Sequence, residues 1–257
     1  MRLQLTLIQT FALAVALLPQ LAHAARPFVT DDARIVDPDG YQIESYVRAQ
    51  RGTRLTEFWF LPAANFGGLA DRFEFTLGGN YTWVSDGGNS NLLLAQVKTL
   101  LRPLEANGFG LALTLGLGRV KPGSAQIVVE TPFDVADAPA PEGDTSTKVR
   151  YNPYLNAIAS VSLADDAVVL HLNAGVTRDN VDRTNVGNWG IGAEIALDAQ
   201  WFGIAESYGL SGEKPAYQVG ARYWAIPRRL QIDGTYGFQN ASPSNLRWIS
   251  VGVRVLW

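Results

Sequence analysis

The chain has no cysteine, one methionine and two histidines in 257 residues. Without cysteine, no disulfide can staple the fold and no thiolate can act as nucleophile. A zinc site built from the usual nitrogen and sulfur ligands is excluded by the same shortage, and neither a metal nor any other cofactor is expected. Basic residues are not in excess. Twenty-one Lys and Arg stand against 24 Asp and Glu, which argues against nucleic acid as a partner. Beyond the first residues no apolar run reaches the ~18 positions that a membrane-spanning helix requires. No G-x-S-x-G turn, phosphate-binding loop or dinucleotide fingerprint occurs in a strand-to-helix setting.

What is present is apolar and glycine-rich: 47% hydrophobic residues, 11% aromatic, 25 glycines and seven tryptophans. Residues 1–24 read as a secretory signal peptide. Arg2 supplies the charge, 11–18 the short apolar stretch, and Ala22-His23-Ala24 a small-x-small cleavage site. An N-terminal membrane anchor is the alternative. Removing these 24 residues leaves 233, with 20 basic and 24 acidic side chains and a net charge of −4. An exported chain this apolar, without helical spans or disulfides, must hide its apolar surface in another way. In hydrocarbon the remaining solution is a closed sheet, because an open edge leaves backbone groups unpaired.

The apolar period is two. Ile249, Val251, Val253, Val255 and Trp257 share one face, while Trp248, Ser250, Gly252, Arg254 and Leu256 share the other. One apolar face and one mixed face is the lipid-out, lumen-in alternation of a transmembrane strand. Segments near 41–51, 58–66, 73–84, 91–103, 109–120, 149–163, 167–177, 187–197, 201–210, 216–225, 230–239 and 246–257 follow it. The expected fold is therefore all-β: a transmembrane antiparallel up-and-down barrel of about twelve strands over residues 41–257, with ten and fourteen as alternatives. Connections at 67–72, 105–108, 164–167, 198–200 and 226–229 read as short periplasmic turns. Those at the other end read as equal or longer, with 121–148 the longest. Pro153 predicts a bulge. Tyr41, Trp83, Tyr151, Trp189, Trp201, Tyr217, Tyr236 and Trp257 fall near strand ends and read as interfacial girdles.

Two segments carry a family resemblance. The stretch Arg26-Pro-Phe-Val-Thr-Asp-Asp-Ala33 leads to Asp37-Pro-Asp-Gly40 and a first strand with inward Glu44; Phe66-Gly-Gly-Leu-Ala-Asp-Arg-Phe-Glu74 follows. Together they resemble the opening of the meta-pathway phenol-degradation family of bacterial outer-membrane barrels, often described as transporters. The resemblance covers about 50 residues. It implies outer-membrane location and transport of small, hydrophobic or aromatic compounds. The alternating last strand, with Val253, Val255 and Trp257 on one face, is similar to the signal read by barrel-assembly machinery. Expected partners are thus outer-membrane lipid, that machinery and a small-molecule solute.

The alternation assigns Glu44, Arg48, Glu74, Lys98, Arg150, Glu194, Glu206, Arg222, Asp233 and Arg254 to the lumen, five acids and five bases. These charges either line a solute pathway or form internal ion pairs that stiffen the wall. Tyr46, Tyr154, His171, Tyr208 and Trp224 join them as pathway residues. Residues 25–40 read as a periplasmic segment or a plug, with Asp31 and Asp32 pairing with Arg48, Arg222 or Arg254. Loop 121–148 is acidic and proline-rich, and reads as a solvated loop, an inward constriction or an extension of its strands. A passive channel for small solutes is the leading expectation, and no catalytic residue is assigned. The alternatives are a hydrolase using His171, with Ser160 or Ser162 across the neighbouring strand, and a structural barrel with a filled lumen.

Overall fold

The computed structural model describes residues 28–51, 55–85, 89–121, 149–181, 183–240 and 245–257. The segment 1–24 read as a signal peptide, residues 25–27 of the plug reading and residues 122–148 of the long loop lie outside them. Twelve antiparallel strands follow in chain order: β1 (Tyr41–Arg51), β2 (Leu55–Ala64), β3 (Phe73–Val84), β4 (Asn89–Arg102), β5 (Phe109–Lys121), β6 (Arg150–Leu163), β7 (Val168–Asp179), β8 (Thr184–Ala196), β9 (Trp201–Leu210), β10 (Ala216–Ile226), β11 (Leu230–Gln239) and β12 (Leu246–Leu256). Each pairs with its chain neighbours, and β1 pairs with β12, so the sheet closes into a barrel. The closing seam runs from Gln42 opposite Leu256 to Arg51 opposite Arg247. Closure leaves no edge strand, which is how a sheet satisfies its backbone in hydrocarbon.

The strands form because apolar residues recur at every second position, many of them β-branched or aromatic, and such residues suit a pleated surface with one face buried. Outward positions such as Leu77, Leu115, Val219 and Val251 are exposed, while the preceding residues Thr76, Thr114, Gln218 and Ser250 point into the lumen and are buried. Aromatics gather near both rims. At the short-turn end Tyr41 stacks on Trp257 at 6.2 Å and Trp201 meets Tyr223 at 4.6 Å. At the other end Tyr217 stacks on Phe238 at 5.3 Å and Tyr81 meets Trp83 at 6.0 Å.

Three local expectations are corrected. β2 starts at Leu55 and ends at Ala64, not over 58–66. Its extra residues pair across to Arg48–Gln50, and Asn65 leaves the sheet to bond the segment before β1. Pro153 causes no bulge: the β5–β6 register runs unshifted through Leu117↔Pro153, and pairing with β7 starts one residue later, at Tyr154. Register shifts instead sit near the short-turn ends of β4 and β10, at Leu100/Arg102 and Trp224/Ile226. Connection lengths are also less asymmetric than expected, since 52–54 and 85–88 are as brief as the turns opposite.

Candidate functional site

The alternation delivers all fifteen predicted pathway side chains to the inner face. Glu44, Arg48, Glu74, Lys98, Tyr154, His171, Glu194, Glu206, Tyr208, Arg222, Trp224, Asp233 and Arg254 are buried there. Tyr46 is half-buried and stacks on Trp59 at 5.7 Å. Arg150 is also half-buried, near the long-loop rim, where its Nη1 meets Asp179 at 3.0 Å. A buried charge needs a partner, because an unpaired one costs several kcal/mol, of order 3–5. The partners are local. Arg48 Nε lies 2.7 Å from Glu57, Arg222 pairs with Glu194, and Arg254 bonds Gln42 and approaches Glu44 at 3.5 Å.

Residues 28–36 run inside the barrel as an irregular strap that is neither helix nor strand, and the exposed turn at 37–39 joins it to β1. Phe28, Thr30, Asp32, Ala33, Ile35 and Val36 are all buried. Wall side chains meet the strap's backbone from several strands. Glu206 on β9 accepts the N–H groups of Val29 (3.0 Å) and Thr30 (2.8 Å). Asn173 on β7 accepts from Asp31 N–H at 2.7 Å and donates to Asp31 C=O at 2.8 Å. Ser160 Oγ on β6 accepts from Ala33 N–H at 2.9 Å, and Glu74 on β3 accepts from Val36 N–H at 2.8 Å. Irregular backbone can be buried only when its polar groups are satisfied in this way.

The strap's charges find a different cation from those expected. Lys98 Nζ bonds Asp31 at 2.9 Å and reaches Asp32 at 3.5 Å. Asp31 thus pairs with a lysine, not with Arg48, Arg222 or Arg254, because the strap descends along the wall that carries Lys98 while those arginines meet glutamates on their own or nearby strands. Arg34 adds contacts to Asp32 (3.6 Å) and Glu194 (4.0 Å). Near Gly40 the two motif segments meet. Buried Asn65 donates to Val36 C=O and Asp71 C=O, both at 2.9 Å, its backbone N–H bonds Gly40 C=O, and its Oδ1 accepts Gly67 N–H. Gly67 has φ 62°, and a side chain there would collide with Asp39.

His171 and Ser160 face each other across β6 and β7, with Ser160 Oγ 2.8 Å from His171 Nδ1. No carboxylate orients the ring: Nε2 has no hydrogen-bond partner among the described residues, and the ring edge meets Phe28. The other candidate, Ser162, is tied to Asp166 and to Asn107 N–H. The pair thus lacks the third group that a serine hydrolase uses to fix its histidine. Among the described residues no group of His, Asp and Glu is arranged to hold a metal.

Two features were not expected from sequence. Glu57 partners Arg48, and its place was missed because β2 was started too late. The lumen also holds an apolar cluster of Leu55, Trp59, Leu61, Leu92, Leu94, Val120 and Tyr154, all buried. It fills the lumen toward the long-loop end along β2, β4, β5 and β6. With both in place the space left beside Asp31, Asp32, Glu74 and Lys98 is a cavity of about 30 Å³, room for one or two waters.

A family model described as "Uncharacterised conserved protein UCP029691" matches residues 140–257, the stretch that carries β6 to β12. No curated protein matches the chain. Among solved structures the fold is similar to the COG4313 outer membrane channel from Pseudomonas putida F1, with TM-score 0.56 and 11% identity over 87% of this chain and 97% of that one. It is also similar to the KdgM porin in complex with disordered oligogalacturonate, with TM-score 0.55 and 12% identity over 83% and 98%. These likenesses establish an outer-membrane-type barrel fold.

Proposed function

We propose that the protein is an outer-membrane channel for passive uptake of small solutes, held shut by its own strap. The observation that carries this reading is the strap itself: a segment with no regular structure, buried in the lumen and bonded through its backbone to side chains of the wall. Likeness to channel barrels supports it. Energy comes from the solute's concentration gradient, and the barrel's partners are outer-membrane lipid and the assembly machinery that reads its last strand.

For the solute we propose hydrophobic or aromatic compounds. The resemblance to the phenol-degradation family favours them, as does the inner wall of Tyr46, Trp59, Tyr154, Tyr208 and Trp248, whose rings offer stacking and edge contacts. Arg48, Lys98, Arg150, Arg222 and Arg254 each meet an acid, so they do not form a free cationic ladder for a polyanion.

Conductance of the refolded mature protein in a planar bilayer, with and without residues 25–40, tests the reading. Current that appears or rises on deletion supports it; silence from both folded forms sinks it. The Ser160–His171 contact favours a second reading, an ester hydrolase. Ester turnover that survives His171→Ala undiminished would remove that alternative.

A further inference from the structure

We infer that the lumen wall is a peptide-binding site that reads main-chain groups, and that the strap is its resident ligand, separable from the barrel. Most of the strap's polar contacts to the wall involve its backbone. Glu206, Asn173, Ser160 and Glu74 accept the N–H groups of residues 29, 30, 31, 33 and 36, and Asn173 also returns a bond to the carbonyl of Asp31. Gln218 donates to Glu206 at 2.8 Å and so holds that carboxylate in place. A peptide supplies N–H groups in a row that matches these acceptors, strand after strand along the wall, whereas a small solute could engage only one or two of them at a time.

The wall is also carved for a peptide. Gly190 and Gly192 present bare backbone to the lumen on β8. A Cβ at Gly192 would lie 2.3 Å from the Phe28 ring, and one at Gly190 2.7 Å from Thr30 Oγ1. The strap's side chains add to this: Lys98 receives the acidic pair, Arg34 approaches Glu194, and the Phe28 ring packs over Gly192. The ligand class is therefore a short acidic peptide. This rests on the strap-gated reading only for its electrical readout, since binding is measured separately.

The test keeps the full chain. A protease site inserted between Pro38 and Asp39, both exposed, lets the barrel fold with its strap seated and then be cut. The fragment should stay with the barrel through gel filtration. After removal in denaturant-free, high-salt wash, a fluorescent synthetic peptide of residues 25–38 should rebind saturably. Peptides N-methylated at Val29 and Thr30, or barrels carrying Glu206→Gln, should bind at least about tenfold more weakly, the loss expected when bonds to a carboxylate are removed. A fragment lost at once that does not rebind overturns the inference. Equal binding of the methylated peptide overturns it too. If the emptied barrel binds peptide but carries no current, the gating reading fails and the binding site stands. If it conducts and binds no peptide, the reverse holds.

Discussion

Two inward-facing glycines, more than any charged group, decide where the strap can lie. Gly190 and Gly192 leave the space that Thr30 and Phe28 occupy. Placing Val at 192 would push β-branched carbons into the Phe28 ring, and overpacking of this kind typically costs about 1–3 kcal/mol. That cost should raise the undocked strap population about ten- to hundredfold. Protease added to folded Gly192→Val protein should cut before Tyr41 faster by that factor, and Phe28→Ala in the same chain should restore protection. Unchanged cleavage in the single variant would mean that the ring is not what seats the strap. The inward positions of these glycines were legible in the period of two, and so were those of Glu44, Glu74, Lys98, Glu194 and Glu206. Their partners were not. Lys98 was an unassigned lumen cation in the sequence, and its bond to Asp31 depends on how an aperiodic segment threads a closed barrel.

At the scale of elements, alternation was enough to find all twelve strands, because an exposed apolar face and a packed lumen leave no tolerance for a slipped register. Failures occurred where alternation was interrupted. The Leu92-Leu93-Leu94 run puts leucine on both faces, and Pro62 breaks the β2–β3 ladder between Phe60↔Gly79 and Ala63↔Thr76 without changing its spacing. Turns are more local and carry their own chemistry. Between β8 and β9, Asp198 accepts the N–H groups of Gln200 (2.7 Å) and Trp201 (2.8 Å), and these bonds hold its carboxyl below its ordinary 3.8. A carboxylate depressed in the fold contributes stability above its unfolded pKa, and that contribution is lost as pH falls through the folded value. Asp198→Asn keeps an acceptor for the turn but no charge. Unfolding midpoints followed from about pH 5 to about pH 2 should therefore fall more steeply for the parent than for Asp198→Asn. Parallel curves would show that the turn's bonds do not depend on ionisation.

For the molecule as a whole, the lumen has two fillings of different kinds. The strap lies along the wall from β3 to β9, held by polar bonds that water can replace and by the packing of Phe28, Val29 and Ala33. The Trp59 cluster, on β2, β4, β5 and β6 toward the long-loop end, is held by apolar contact and contains no strap residue. Sequence reading could not find this second filling, because an inward leucine or tryptophan looks the same in one dimension as a lipid-facing one. It implies that opening occurs in steps. Removing residues 25–40 should free only the strap's side of the lumen and yield a small conductance. Trp59→Ala should remove the largest buried ring of the cluster, at a cost of about 3–5 kcal/mol in stability, which the closed ladder of twelve strands must absorb. With the strap in place, Trp59→Ala should remain silent, since the polar filling still crosses the lumen. With the strap gone, the same substitution should raise single-channel conductance above that of the deletion alone. If Trp59→Ala conducts while the strap is seated, the barrier is the apolar cluster, and the strap is a scaffold, not a gate. If it adds nothing to the deletion, the solute path follows the β6–β9 wall alone, and the cluster serves to keep the other half of the barrel closed.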